Sequence, residues 1–173
     1  MILAFIGPDM TGKSNIANCL SKDLGIPVFK NTGEWKADLS SDDYYLNLLK
    51  FGGTFLMDFL LQVRPAAILD RFYPCEYAYS AIFGRKTNEN LILKLDEKFA
   101  SIDGKLIFCY KKSYAGVQDD LFPDDINDKT LKKIEERYRM FLSKTKCDVL
   151  FLETSDMNLK NQISEIKRFL GVE

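Results

Sequence analysis

One eight-residue stretch constrains this chain more than any other feature. Gly7-Pro8-Asp9-Met10-Thr11-Gly12-Lys13-Ser14 fits the pattern G-x-x-x-x-G-K-S/T, and it lies between the apolar run Ile2–Ile6 and a helical pattern over 12–24 that ends near Gly25. A turn alone would need Gly and Pro but not the Lys-Ser pair. The chemistry of polyphosphate binding explains each fixed position. Glycines let backbone N–H groups curl around phosphate oxygens with no Cβ in the way, and the new helix points its positive end at the same oxygens. Lys13 would neutralise the β- and γ-oxygens, and the Ser14 hydroxyl would be a ligand to Mg²⁺. The expected ATP-contacting set is therefore Gly7, Met10, Thr11, Gly12, Lys13, Ser14 and Asn15.

The remaining pattern predicts the scaffold behind this turn. Apolar runs at 27–29, 66–69, 105–110 and 149–152 alternate with helical periodicity at 75–83, 89–101 and 129–144. A further helix opens at the cap-like Ser41-Asp42-Asp43 and runs toward Val63, with a soft spot at Gly52-Gly53 and a break at Pro65. Strand–helix alternation with near-continuous apolar strands implies a parallel sheet covered on both faces. The expectation is one α/β domain over residues 1–173, a P-loop NTPase-type three-layer α/β/α sandwich with a five-stranded parallel sheet. The polar segment at about 111–128 reads as a mobile, lid-like loop. Within it, Asp119-Asp120 and Asp124-Asp125 lack the spacing of a calcium loop.

A second signal is Ala66-Ala67-Ile68-Leu69-Asp70-Arg71, an apolar strand ending on an acid followed by an arginine. Carboxyl ends of parallel strands converge on the ligand crevice. Asp70 is thus a candidate to hold Mg²⁺ through water, and Arg71 to grip a phosphate bidentately. A surface ion pair at a strand end is the competing reading. The phosphate loop in the same chain favours the functional one.

Composition removes whole classes of chemistry. The chain has no histidine, which excludes histidine triads, histidine bases and nearly all zinc-enzyme sites. A net charge of -1 argues against coating nucleic acid by bulk charge. No apolar run approaches the ~18 residues of a membrane span, and the N-terminal segment lacks the basic lead of a signal peptide. The four cysteines form no C-x-x-C pair, and reduced core thiols in a cytoplasmic protein are expected.

Gly7-x-Asp9-x-x-Gly12-Lys13-Ser14, then Asp70-Arg71-Phe72 and Ala78-Tyr79, resemble the thymidylate kinase family, and most of all the compact thymidylate-kinase-like proteins of large bacteriophages. The likeness covers the whole chain in strand order, with specific residues matching at these two segments. It implies that Asp9 reaches the 3′-hydroxyl of an acceptor deoxyribose, that Arg71 grips the acceptor phosphate, and that Tyr79 lies near sugar or base, with Phe72 or Tyr73 walling the base pocket. Where the chain departs from the family, base recognition is open: Cys75 stands in place of Ser and Ser80 in place of Gln. The family's R-E-P-G-G-T segment is missing, which leaves Lys30 as its cationic stand-in, and Gly52-Gly53-Thr54 only imitates its spelling inside a helix. No arginine-rich lid is evident; Lys111, Lys112, Arg137 and Arg139 are the available cations, each read as a solvated charge.

These readings converge on transfer of the γ-phosphate of Mg²⁺-bound ATP to a pyrimidine deoxynucleoside monophosphate such as dTMP or a modified dUMP. Such transfer rests on positioning and charge neutralisation, here by Lys13 and Arg71 with Asp70 and Asp9, and needs no histidine. A cytoplasmic location follows, the host's if the gene is viral. The alternative is a hydroxyl acceptor, either a deoxynucleoside or a hydroxymethylpyrimidine within DNA, with Asp9 or Asp70 as base; only that case brings in nucleic acid. A nucleotide-binding module without catalysis is the third class. The apolar run Tyr44, Tyr45, Leu48, Leu49, Phe51, Phe55, Phe59 reads mainly as core, with its excess of apolar residues suited to a homodimer contact.

Overall fold

A computed structural model describes residues 1–30, 42–116, 126–156 and 158–172. The polar turn Asn31-Thr32-Gly33-Glu34, the cap residue Ser41 and the acid pairs 119–120 and 124–125 lie outside the described residues.

The elements follow in the order β1 (Ile2–Ile6), α1 (Lys13–Leu24), β2 (Val28–Lys30), α2 (Asp42–Asn47), a π-helical turn (Leu48–Gly53), α3 (Thr54–Val63), β3 (Ala67–Asp70), α4 (Pro74–Ile82), α5 (Glu89–Ser101), β4 (Gly104–Tyr110), α6 (Asp128–Leu142), β5 (Val149–Glu153) and α7 (Leu159–Leu170). The five strands form one parallel sheet in the order β2-β3-β1-β4-β5. β1 is central and buried throughout, as its unbroken apolar sequence requires. The chain moves from β1 outward to one side and later to the other, so the strand order switches direction at β1 and β4. Ligand crevices form outside the carboxyl ends of strands at such a switch.

Alternation along β1 divides the core. Ile2, Ala4 and Ile6 face a cluster with Met57 and Leu60 of α3, Tyr77 and Ala78 of α4, Phe99 of α5 and Tyr138 and Phe141 of α6. Leu3 and Phe5 face Ile16, Ala17 and Leu20 of α1 and Ile166 of α7. The result is the expected three-layer sandwich, in which each fully buried large apolar side chain contributes about 1.5–3 kcal/mol.

Element ends obey local chemistry. Gly25 closes α1 with φ 67, and Arg64 closes α3 with φ 48 just ahead of Pro65. Pro74 opens α4 in its first turn, and the Asn127 side chain caps α6 by accepting from the Thr130 N–H at 3.1 Å. β3 reaches Asp70 rather than stopping at Leu69, because Asp70 pairs in register with Phe5.

The structure adds detail to several expectations. The soft spot at Gly52-Gly53 is a full π-helical turn, where widened hydrogen bonding replaces the α ladder. In the aromatic run, Tyr45 and Leu49 are buried, but Phe51 and Phe55 are 63% and 75% exposed. At the described ends of the lid-like segment Tyr114 and Ile126 are buried, Lys112, Ser113, Ala115 and Gly116 are exposed, and the Lys112 N–H donates to Ser155 Oγ at 2.9 Å. Residues 117–125 of that segment lie outside the described residues. All four cysteines are free, and among the described residues no helix is long and apolar enough to cross a membrane.

Candidate active site

The glycine-rich turn begins where β1 ends. Gly7 adopts φ 134 and passes so close to β4 that a Cβ would lie 2.1 Å from the Cys109 carbonyl oxygen. Only glycine fits there. Met10 turns with φ 60, and Gly12, with φ 78, leads into α1. No side chain caps α1, so the dipole at its N-terminus faces the turn without an internal acceptor. Thr11 is buried and its hydroxyl donates to the Pro8 carbonyl at 2.9 Å, which closes the loop on itself. Met10 and Asn15 are exposed at the loop's outer edge.

Lys13 is buried, with its ammonium on the Pro8 carbonyl and 3.2 Å from Thr11 Oγ1. Burial, then repulsion from Arg71, pushes its pKa down to about 8, against the pull of Asp9. Beside it, the Ser14 hydroxyl donates to Asp70 Oδ2 at 2.6 Å. The other Asp70 oxygen, Oδ1, is buried with no hydrogen-bond partner. A buried, unpaired carboxylate oxygen is costly unless a ligand completes it. Together with a hydroxyl in reach, it suits a Mg²⁺ ion that keeps water and phosphate oxygens as its remaining ligands. Among the described residues no cluster of three acidic or thiol groups offers a complete metal cage.

Arg71 follows Asp70 with φ 70, a left-handed conformation held by its N–H on the Phe5 carbonyl at 3.0 Å. For a non-glycine residue this costs of order 1–3 kcal/mol, and it turns the side chain out of the strand's line. The guanidinium forms an ion pair with Asp9 Oδ1, and its second arm donates to the Tyr79 hydroxyl at 3.4 Å. Tyr79 donates in turn to Asp9 Oδ2 at 2.6 Å. Burial works to raise the Asp9 pKa, but the Arg71 and Lys13 charges and the Tyr79 hydroxyl outweigh it and hold the group below its usual value. Burial, reinforced by the Asp9 charge, drives the Tyr79 phenol well above its ordinary range. The site therefore contains a fixed carboxylate, two cations and a neutral phenol.

The structure thus brings together Asp9, Lys13, Ser14, Asp70, Arg71 and Tyr79. Lys30 sits at the exposed end of β2, in register with Asp70. Phe72 and Tyr73, expected as walls of a base pocket, lie within the core cluster. Both are buried, their rings 4.8 Å apart, and each packs edge-on against Phe99, so they serve the core. Nor is Arg139 simply solvated: it donates to Glu135 at 2.8 Å and lies 4.9 Å over Tyr110, while Arg137 lies 4.8 Å over Tyr77.

Sequence reasoning missed a buried ion pair near the end of α4. Arg85 donates to Glu76 at 2.8 Å and stacks 3.9 Å over Tyr45 of α2. An isolated arginine after Gly84 carries no signal of that partnership. The Tyr79–Asp9 hydrogen bond was equally invisible, since its partners are 70 residues apart.

No protein-family model matches the chain, and no curated protein sequence matches it. Solved structures do match. The YorR protein of Bacillus subtilis, solved in complex with phosphorylated GDP, superposes with a TM-score of 0.71 at 19% identity, over 99% of this chain and 96% of that one. Thymidylate kinase from Ehrlichia chaffeensis gives 0.62 at 15% identity, over 98% of both chains. Deoxyadenosine kinase from M. mycoides with bound dCTP gives 0.58 at 15% identity, over the full length of both. At these identities the likeness concerns the fold, and the chain shares the P-loop α/β fold of solved nucleotide and deoxynucleoside kinases along its whole length.

Proposed function

We propose that this protein is an ATP-dependent nucleotide kinase that moves the γ-phosphoryl group to the phosphate of a pyrimidine deoxynucleoside monophosphate, dTMP or a modified dUMP. The observation that carries the reading is the meeting, at neighbouring strand ends, of the glycine-rich turn bearing Lys13 with Arg71. The turn from Gly7 to Ser14 suits a donor polyphosphate, and Arg71, linked to the turn through Asp9, suits an acceptor phosphate. The thymidylate kinase among the structural neighbours supports a monophosphate acceptor, and the deoxyadenosine kinase supports nucleoside or nucleotide phosphorylation more broadly.

In this reading Lys13 and the first N–H groups of α1 bind and orient the donor's terminal phosphates. Ser14 and Asp70 would hold the Mg²⁺ that accompanies ATP, which when bound would neutralise charge on the terminal phosphates. Arg71 positions the acceptor phosphate, and Asp9 and Tyr79, beside it, reach toward the acceptor sugar. The acceptor is already ionised near neutral pH, so no base is needed. Exposed Phe51 and Phe55 on the π-helical turn and α3 support a homodimer contact for the whole enzyme.

A second reading, with a deoxynucleoside hydroxyl as acceptor, is favoured by one observation: the unpartnered Oδ1 of Asp70 is a carboxylate oxygen able to take a proton.

Arg71→Ala separates these readings. Loss of a charge-assisted phosphate grip of about 1.5–3 kcal/mol predicts a rise of roughly 10- to 100-fold in the acceptor KM, with the ATP KM little changed. Equal weakening of donor and acceptor would contradict the assignment of Arg71.

A further inference from the structure

Arg71 already carries an anion of the protein's own. Asp9 gives Oδ1 to its guanidinium, while Oδ2 is held separately by the Tyr79 hydroxyl at 2.6 Å. Asp9 is only 9% exposed, and its carboxylate is ionised beside two cations, Arg71 and Lys13. The Tyr79 tether matters because it falls on the oxygen that Arg71 leaves free and, at 2.6 Å, is shorter than the 3.4 Å contact between the guanidinium's second arm and the same hydroxyl. It can keep Asp9 in place on one oxygen while the guanidinium changes partner. Asp9 gives Arg71 one carboxylate oxygen, on a guanidinium nitrogen that a phosphate oxygen would otherwise take. Asp9 therefore occupies one arm of the grip that a phosphate would use.

We propose that Asp9 is an internal competitor for Arg71, an autoinhibitory anion that a phosphate must displace before the arginine can hold it. The inference deepens the reading of Arg71 as the acceptor grip and rests on it for its biological meaning. The consequence is one of affinity: binding to a site that is competent only part of the time is weakened by that fraction, so a pair closed nine-tenths of the time weakens an incoming anion about tenfold. Small anions with no other contacts, such as orthophosphate, fall below useful affinity at Arg71. A nucleotide, whose sugar and base add binding energy, overcomes the same penalty. The device keeps the grip from being blocked by inorganic phosphate.

Calorimetric titration of orthophosphate into four proteins tests this: wild type, Asp9→Asn, Arg71→Ala and the double variant. Asparagine keeps the acceptor oxygen for Arg71 and removes the charge, and Asp9→Ala provides a second removal of the competitor should the first fold poorly. Asp9→Asn is expected to tighten orthophosphate roughly tenfold, and this gain should vanish in the Arg71→Ala background. No gain, or a gain that persists without Arg71, would overturn the proposal; the latter would show a general field effect on the glycine-rich turn. The titration involves no turnover. A chain that shows the expected cycle but releases no ADP with any acceptor would defeat the kinase reading on its own.

Discussion

Ser14 and Asp70 are 56 residues apart in sequence and 2.6 Å apart in space, hydroxyl to carboxylate, while the second Asp70 oxygen is buried and unpartnered. The pairing of β1 with β3, which sets Phe5 opposite Asp70, brings them together. A strand-end acid and the hydroxyl at the start of α1 thereby meet where the proposed Mg²⁺ would sit.

Asp70→Asn is expected to keep the fold, because the amide oxygen can still accept from Ser14. It should lower kcat by on the order of 10²-fold and raise the Mg²⁺ concentration needed for half-maximal rate. Ser14→Ala should shift the same Mg²⁺ curve more mildly. Initial rates across a Mg²⁺ titration check both, and an unchanged half-saturation point in Asp70→Asn would refute the assignment.

Lys13 gives a pH prediction with a definite sign. Its pKa is lowered from 10.5 to about 8 by burial and by Arg71. Between those values the unfolded chain binds more protons than the folded one, so this group makes stability rise with pH across the window from about 8 to 10.5 and adds no slope below it. Nucleotide affinity should move the opposite way, because the charge that meets the phosphates is lost above pH 8 or so. ATP binding measured calorimetrically at about pH 7 and about pH 9.5 should weaken in the wild type and stay nearly flat in Lys13→Arg, whose guanidinium remains charged. Equal pH dependence in both proteins would contradict the role of Lys13.

The two glycines of the turn should fail differently. Gly7→Ala drives a methyl into the Cys109 carbonyl at 2.1 Å in a backbone region with φ +134, and is expected to cost about 3 kcal/mol of stability or more. Gly12→Ala meets no protein atom within 4 Å, so only its φ of +78 opposes it, at about 1–2 kcal/mol. Its main effect should fall on nucleotide affinity, since a Cβ then stands in the phosphate cradle. Thermal unfolding and ATP titration of the two variants separate these losses, and normal ATP affinity in Gly12→Ala would count against the cradle.

The glycine-rich turn and Asp70 were readable in the sequence because local spacing encodes them. Gly7, Gly12, Lys13 and Ser14 must fall at fixed steps between a strand and a helix, and Asp70 must end an apolar run. Parallel strands were readable for the same reason, as unbroken apolar segments between amphipathic ones. Phe72 was not. A ring beside Arg71 has the same composition whether it walls a ligand pocket or packs on Phe99, and only the turn into α4 decides. The Arg85–Glu76 pair and the Tyr79–Asp9 bond depend on tertiary contacts that leave no local trace. The π-helical turn lay between these cases: Gly52-Gly53 marks a weak helix, but nothing in its spelling says which hydrogen-bond ladder replaces the α form.

The most direct test of the account is ADP release with ATP and Mg²⁺ against a panel of acceptors: the four natural deoxynucleoside monophosphates, dUMP, 5-hydroxymethyl-dUMP, thymidine, and DNA containing hydroxymethyluracil. The account predicts turnover with a pyrimidine monophosphate and its loss in Lys13→Ala. Turnover confined to thymidine or to the modified DNA, with silence on every monophosphate, would contradict it.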